Sequence, residues 1–419
     1  MKRTEITLRG LMMKFARFTV LSLLFLSLVH VVVSHSATLI VSRGSDLQSV
    51  VDYAGDGDTI ALAGKNFEAR PTAFTDSLCG NCEDSQTDVP GTYGFIIKNK
   101  SLVIIGDSRQ RSRLVTNAGY GVYIVNSPYT EIRNLTITGG KRDPYEFATN
   151  AAIVVRNSRV NVIDVDIRDN NHRSSDSTVI SGIGGIIGRE GAEITIRNCT
   201  ITDCSWDGVA LYRGAVATII DCRIENGRGA GIGVTWDAAC FAYRNDISGY
   251  WKGVGAFGTS WVIARNNVVH DNLGWGMVAS GHSYMDISNN VVHHNGNCGI
   301  APWGSESRGR IANNIVTENG WREYWVCPCV GIWNYGDWAK WDFSHNIVWN
   351  NKDGQYQDIW DQTGRNGNLS TDPMFVDDVG FMLQPGSPAL NAGDSTIYNV
   401  DGSRSHIGLH GGPQAPTKR

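Results

Sequence analysis

Short runs of alternating apolar and polar residues recur along most of this chain. Valine and isoleucine occupy alternate positions in these runs, and glycine, asparagine or aspartate bound them. Alternation with a period of two is typical of β-strands that bury one face. Long segments with the helical period are missing. The pattern therefore predicts an all-β protein built from many short strands.

The strands belong to an internal repeat with two markers. The first is a polar residue, most often asparagine, before a short apolar pair, and the second is a glycine before an apolar residue. Both keep a period near 23 residues, which predicts a solenoid whose turns stack as parallel strands. The first marker falls at Cys199, Cys222, Asn245, Asn267, Asn290, Asn314 and Asn346, and the second at Gly208, Gly231, Gly253, Gly276, Gly299 and Gly331.

Stacking places equivalent residues of successive turns directly above one another. The asparagines of the first marker should then form an inward column whose side-chain amides bind one another and the backbone. Cys199 and Cys222 occupy the same column. We interpret this column as structural.

The chain divides into four segments. Residues 1–36 resemble a signal peptide, since five basic residues precede an apolar run of about 16 residues, shorter than the ~20 needed to span a bilayer. Residues 37–60 are expected to form an N-terminal cap and first strand, residues 61–365 the solenoid, and residues 366–419 a closing segment. Loop insertions are expected near 70–92, 141–150, 170–181 and 320–329, and long loops on a rigid scaffold often carry binding sites.

Composition narrows the function classes. The net charge is −4 and the isoelectric point is near 6.2, so no basic field for nucleic acid is predicted. We expect a monomer that is secreted or periplasmic, with no membrane contact after signal cleavage. Nine cysteines permit disulfides in that environment but leave at least one unpaired, with Cys79 and Cys82 the best candidates for a local bridge.

With these repeats, the mature chain resembles the right-handed parallel β-helix proteins of the pectin lyase-like superfamily. Residues 46–51 and 57–60 resemble the capping helix and first strand of that family, and residues 372–377, 383–388 and 391–394 resemble a common closing segment. The resemblance implies a single-stranded right-handed parallel β-helix. It is specific for fold and weak for chemistry, because this scaffold carries lyases, hydrolases, epimerases and structural proteins.

In the family, the strand that begins at the glycine marker usually lines the substrate cleft. Alternation is expected to turn the marker glycines and the small residue two positions later outward, as a floor of small side chains. A column beside that floor contains Arg156, Arg189, Tyr212, Thr235, Phe257, Ser280, Trp303 and Tyr335. Aromatic rings there can stack on sugar rings, or only on each other. The substrate-binding candidates are Arg156, Trp206, Trp236, Phe257, Trp275, Trp303 and Tyr335, and Trp251 and Trp333 add to the same surface.

Ionisable residues concentrate where the arginines of this column meet its aromatic residues. A uronan lyase needs a cation to neutralise the substrate carboxylate and a base to remove the C5 proton, whereas a glycoside hydrolase needs two facing carboxylates. Arg189, Arg213 or Lys252 can neutralise the carboxylate or act as the base, and Tyr212 or His282 can exchange the proton. The catalytic candidates are Arg189, Glu190, Asp207, Tyr212, Arg213, Asp237, Lys252 and His282.

The sequence favours a lyase acting on an acidic polysaccharide. Hydrolysis, epimerisation and polysaccharide binding without catalysis stay open as alternatives. Calcium is possible by the resemblance, and Asp164 and Asp166 share one strand face, but no loop has the spacing of a calcium site, so no metal is assigned.

Overall fold

The computed structural model describes residues 36–42, 44–78, 88–107, 111–171, 182–323 and 326–416. Residues 1–35 of the predicted signal peptide, together with Cys79 and Cys82, lie outside these ranges. The described residues from Thr38 onwards form one compact unit. No helix within the described ranges has the length and apolar character needed to cross a membrane.

Three long sheets run along this unit, and nearly all of their strand pairs are parallel. Sheet 1 contains Thr38–Ser42, Asp58–Ala63, Leu102–Gly106, Thr130–Arg133, Arg159–Ile163, Glu193–Arg197, Val216–Ile220, Ala239–Tyr243, Trp261–Arg265, Tyr284–Ser288, Arg308–Ala312 and Trp341–Ser344. Sheet 2 contains Asn66–Glu68, Arg113–Val115, Thr136–Thr138, Asp166–Arg168, Thr200–Thr202, Arg223–Glu225, Asp246–Ser248, Val268–His270, Val291–His293, Ile315–Thr317 and Ile347–Trp349.

Sheet 3 carries the strands that begin at the glycine marker. Its members are Thr72–Asp76, Val89–Lys98, Tyr120–Val125, Ala151–Arg156, Gly184–Arg189, Val209–Leu211, Ala230–Val234, Lys252–Ala256, Trp275–Ala279, Ile300–Gly304, Ile332–Trp333, Tyr335–Gly336 and Tyr356–Gln357. Most turns of the chain contribute one strand to each of the three sheets. This arrangement confirms the predicted parallel β-helix.

The register of the pairs confirms the 23-residue turn. Ile219 on sheet 1 pairs with Ala242, and Val209 on sheet 3 pairs with Ile232, each 23 residues further along the chain. Inward side chains from all three sheets pack into one continuous core along the stack. Residues at the same position of successive turns are therefore neighbours, and the position of a side chain in its turn decides whether it faces the core or solvent.

A cap helix and the closing segment pack against different parts of the stack. The helix Leu47–Tyr53 begins at Asp46, whose carboxylate accepts hydrogen bonds from the backbone N–H groups of Gln48 and Ser49. The closing segment folds back over the outer face of sheet 2, where Phe381, Ile407 and Leu409 pack against sheet residues. The residues of the closing segment that pack in this cluster contact sheet 2 and not sheet 3.

The predicted asparagine column is present and fully internal. Each side-chain amide donates a hydrogen bond of 2.9–3.0 Å to the side-chain oxygen of the asparagine one turn later. The same oxygen also accepts the backbone N–H of the preceding turn's asparagine. The column runs Asn245, Asn267, Asn290, Asn314 and Asn346, and it ends at Asn368.

A second ladder lies at the next bend and was not predicted. It contains Asn272, Asn295, Asn319 and Asn351, linked by amide-to-oxygen bonds of 2.9 Å, and it ends on Gln355. Its signal in the sequence is an asparagine five residues after the first marker. Both bends are thus held by side chains that replace missing strand hydrogen bonds.

Substituting Asn290 by alanine should destabilise the protein by about 2 kcal/mol or more, because the buried N–H of Asn267 and the carbonyls of Ala264 and Ser288 lose its side chain as a partner. Urea unfolding followed by circular dichroism measures this loss. Asn66→Ala, at an exposed position on a strand of sheet 2, is the matched control and should change stability little. Equal effects of the two substitutions would contradict a structural role for the ladder.

Candidate active site

The predicted outward column on sheet 3 is confirmed by the strand register. Arg156 pairs with Arg189, and Trp303 pairs with Tyr335. Between these pairs, each column residue donates its backbone N–H to the carbonyl of the preceding turn, as Tyr212 does to Gly188. The column therefore runs without a break along the outer face of the sheet.

The prediction for the floor beside this column was half right. The small residues Ala210, Gly233, Gly255, Val278 and Ala301 do lie on the outer face. The marker glycines face inward instead: a Cβ atom added to Gly208 or Gly231 would lie 2.4 Å from the Ile224 or Ile247 side chain. The strand register omits Gly231 between Ala230 and Ile232, so the alternation of side chains is interrupted there.

Arg189 is fully buried at one end of the column. Its guanidinium group pairs with Asp76 at 2.5 Å and with Glu190 at 3.0 Å, and donates to the Thr149 hydroxyl at 2.8 Å. Arg156 pairs with the other oxygen of Asp76 at 3.2 Å. Both arginines thus tie the edge strand Thr72–Asp76 to later strands of sheet 3, and Arg189 has no surface left for a substrate.

Glu190 and Arg213 continue this network. Arg213 pairs with Glu190 at 3.1 Å and lies 4.9 Å from the ring centre of Trp236. Glu190 also contacts Arg156 and Arg189, so its carboxylate is already shared among three cations. Trp236 packs against Tyr212, with ring centres 5.6 Å apart. The aromatic and charged candidates at this end therefore contact each other.

A cleft of about 680 Å³ begins directly beyond that network. Tyr212, Thr235 and Phe257 line one side of it, while Ala210 and Gly233 form the floor. The opposite side is made of Trp206, Asp207, Arg228, Gly229, Ala230, Trp251, Lys252, Leu273 and Arg322. The described residues of the cleft thus include three cations and a single carboxylate.

Asp207 is held in place by the next turn. Its Oδ1 atom accepts the backbone N–H of Ala230 at 2.6 Å. The position of this carboxylate requires Gly229, because a Cβ atom there would lie 2.0 Å from Oδ1. Burial of the carboxyl group raises the pKa of Asp207 to about 6, against the opposing effects of the Ala230 N–H and of Lys252.

Lys252 lies in the same column position, one turn after Ala230. Burial lowers the pKa of Lys252, and the Asp207 carboxylate opposes that shift only in part. Its ammonium group also lies 5.4 Å from the ring centre of Phe257. A lysine with a lowered pKa in a cleft is a candidate base, because more of its amine is neutral at a given pH.

Arg228 and Arg322 are cleft residues that the sequence alone did not identify. Arg228 lies in the bend before the strand Ala230–Val234, and Arg322 belongs to the insertion near 320–329. Arg322 lies 5.3 Å from the ring centre of Trp251. Repeat spacing could have suggested Arg228, which directly precedes Gly229, but an insertion has no equivalent in neighbouring turns.

The remaining aromatic candidates lie further along the sheet. Trp275 is buried, and its ring stacks on Trp303 with centres 5.6 Å apart. Trp333 lies 5.2 Å from Tyr335, which is 61% exposed. Trp275, Trp303 and Trp333 pack with Cys298 and Cys327 beneath the insertion, so they mainly support it.

Two catalytic candidates lie outside the cleft. The carboxylate of Asp237 accepts the backbone N–H of Gly214 at 2.8 Å on an exposed bend. His282 is exposed on the bend after the strand Trp275–Ala279. Neither lines the cleft, whereas Asp207, Tyr212 and Lys252 all do.

The described cleft does not fit calcium, because its single carboxylate lies among three cations. More generally, no group of three or more metal-binding side chains is found among the residues that the structure describes. Asp166 pairs with Arg168 at 3.1 Å. All seven described cysteines have free thiols and are buried: Cys199, Cys204, Cys222, Cys240, Cys298, Cys327 and Cys329.

Comparison with known proteins agrees with this architecture. Residues 181–353 match a family model described as a right-handed β-helix region. The described part of the chain folds as a right-handed parallel β-helix. The fold named in the sequence resemblance is therefore confirmed, and the matched residues include the whole cleft. No curated protein matches the sequence.

Several solved structures resemble the β-helix at low sequence identity. Pectate lyase Pel9A has 14% identity and a TM-score of 0.49, covering 90% of this chain and 97% of its own. The periplasmic alginate epimerase AlgG has 13% identity and a TM-score of 0.39, covering 80% and 83%. Dettilon tailspike protein has 14% identity and a TM-score of 0.42, covering 80% and 62%. At these values the likeness concerns the fold alone.

Arg189→Met should destabilise the β-helix by about 3 kcal/mol, because it leaves the buried Asp76 carboxylate with fewer partners. Urea unfolding measures the loss. The double variant Arg189→Met with Asp76→Leu should lose less than the sum of the single variants, because no unpaired carboxylate remains. Strict additivity would show that the two side chains do not stabilise each other.

Asp207→Asn should lower the pKa of Lys252 further, because the carboxylate that favours the ammonium form is removed. The pH dependence of Lys252 methylation, followed by mass spectrometry, measures this change. The methylation profile of Lys340, an exposed lysine paired with Glu306, serves as the internal control and should be the same in both proteins. An unchanged profile at Lys252 would show that the Asp207 carboxylate does not influence the pKa of Lys252.

Proposed function

We propose that this β-helix is an exported polysaccharide lyase that cleaves a uronic acid polymer by β-elimination. The observation that carries the proposal is the charge pattern of the cleft: Arg228, Lys252 and Arg322 line it with Asp207 as the single carboxylate. Among the described residues, none of these three cations forms an ion pair within 4 Å. A cleft with uncompensated positive charge suits a polymer that carries carboxylates.

Lys252 is assigned the role of the base. Its neutral amine takes the C5 proton of the uronate, whose acidity rises when a cation neutralises the neighbouring carboxylate. Arg228, one turn before Lys252, supplies that cation. The electrons of the broken C5–H bond form the C4–C5 double bond, and the bond from C4 to the leaving oxygen breaks. Water in the open cleft protonates the leaving oxygen.

Asp207 and Tyr212 are positioning residues in this proposal. The Asp207 carboxylate attracts the Lys252 ammonium group and so directs the lysine toward the cleft. Burial raises the pKa of Tyr212, so its phenol keeps its proton and donates a hydrogen bond to a sugar oxygen. Arg189 and Glu190 take no part, because their charges are paired with each other and with Asp76.

Hydrolysis is less well supported by the same residues. A glycoside hydrolase needs two carboxyl groups on opposite sides of the scissile bond, separated by about 5–10 Å. The described lining of the cleft supplies only Asp207. An epimerase shares the first proton transfer with a lyase, and a binding protein shares the charged surface, so experiments must separate these alternatives.

Purified protein should release unsaturated uronate from an acidic polysaccharide, measured by ultraviolet absorbance across a panel of acidic and neutral polymers. Lys252→Arg should reduce turnover at least about 100-fold, because arginine keeps its positive charge but cannot accept the proton at ordinary pH. Turnover of the wild type should rise with pH and level off once Lys252 is deprotonated. Lys340→Arg, an exposed lysine on another face, should retain full activity.

Three outcomes would contradict the proposal. Full turnover in Lys252→Arg would place the base elsewhere. Inverted uronates without absorbance, detected by nuclear magnetic resonance, would indicate an epimerase. Polymer retention without any product would indicate a binding protein.

A further inference from the structure

Arg322 reaches the cleft from the insertion and is fixed at three points. Its backbone N–H donates to the carbonyl of Gly296 at 2.8 Å. The Nη1 atom donates to the carbonyl of Leu273 at 2.9 Å, and the guanidinium group lies over Trp251. The side chain is therefore held over the cleft wall before any ligand binds, which reduces the entropy lost on binding.

The way Arg322 is held leaves its charge for a ligand. An aromatic face and a carbonyl oxygen stabilise the guanidinium group without neutralising it. Arg189 and Arg213, in contrast, are paired with carboxylates. A guanidinium group has five N–H donors in a planar fork that matches a carboxylate. Because Nη1 binds Leu273, further donors of Arg322 remain for the cleft.

Arg228 and Arg322 lie on opposite sides of Lys252 along the stack. Arg228 precedes the strand Ala230–Val234, one turn before Lys252, whereas the Arg322 guanidinium group binds Leu273, one turn after it. Because the Arg322 guanidinium group also lies over Trp251, in the turn of Lys252, it stands between one and two turns beyond Arg228, or roughly 5–10 Å at about 4.8 Å per turn. Two cations at that separation contact different sugar units of a polymer that follows the stack.

We propose that Arg322 is a specificity-determining residue that binds the carboxylate of a sugar unit next to the reacting one. The inference rests on the proposed function and adds that the substrate is a polymer of contiguous uronates. An alternating polymer of uronate and neutral sugar would leave one of the two arginines without a carboxylate. The insertion, rather than the repeat itself, supplies this selectivity.

The test compares Arg322→Gln, Arg322→Lys and the control Arg308→Gln, an exposed arginine on sheet 1. The substrates are a homopolymeric oligouronate, such as an oligogalacturonate or oligomannuronate, and an alternating oligosaccharide of equal length. On the homopolymer that the wild type cleaves, Arg322→Gln should raise KM at least tenfold and change kcat less than threefold. Arg322→Lys should recover part of the loss, and Arg308→Gln should match the wild type.

Discrimination is the second readout. Wild type should prefer the homopolymer to the alternating oligosaccharide, and Arg322→Gln should reduce that preference about tenfold. An unchanged KM and an unchanged preference in an active Arg322→Gln variant would overturn the inference while leaving the lyase proposal intact. A fall in kcat alone would also overturn it and place Arg322 in the chemical step.

Binding distinguishes the inference from the proposed function. If the wild type cleaves no polymer, the lyase proposal fails. Calorimetry with the same oligouronates and their carboxyl-reduced forms then tests whether Arg322 binds a carboxylate. A tenfold weaker Kd in Arg322→Gln for the oligouronate, and no difference for the reduced form, would support carboxylate recognition. Equal affinities of the wild type and Arg322→Gln for the oligouronate, or no binding of any acidic oligomer, would overturn it.

Discussion

The fixed register between successive turns is the constraint on which the rest of the structure depends. Parallel strands alone do not fix the bends between sheets, because backbone groups leave the ladder there. The two asparagine ladders replace those hydrogen bonds, with each amide bridging one turn to the next. A shift of one residue would exchange inward and outward side chains throughout a turn. Because the ladders prevent this shift, the side chains that line the cleft stay on the outer face of sheet 3 in successive turns.

Cations around the cleft are held in two different ways. This difference distinguishes the cations that stabilise the fold from those proposed to bind substrate. Arg156, Arg189 and Arg213 are paired with carboxylates, and the first two secure the Thr72–Asp76 strand through Asp76. Lys252 and Arg322 lie instead against aromatic rings. An aromatic face positions a cation while leaving its charge available. The aromatic residues of this surface thus support the cations as much as they offer stacking platforms for sugars.

Periodicity made most of the fold predictable. The spacing of the two markers gave the turn length, the asparagine column and the order of residues along the outer face of sheet 3. Two errors came from local geometry: the marker glycines turn inward against Ile224 and Ile247, and the second ladder was overlooked. Within the candidate site, Tyr212 was named from its column, and Asp207 and Lys252 were named as ionisable residues on neighbouring turns. Arg322 was not, because residues of an insertion have no counterpart in other turns, and the burial of Arg189 depends on Asp76, more than 100 residues earlier in the chain.

The ladders also give the stack a direction. In both, the amide and backbone donors of one turn are satisfied by the side-chain oxygen of the turn that follows it in the chain. A growing stack therefore always presents open donors at its C-terminal end and acts as a template for the turn that is still to be added. Asn368 stops this growth, because its own backbone N–H binds Arg365 within the same loop. Because synthesis proceeds from the N-terminus, each new turn would thus meet its stabilising partners in the order in which it appears.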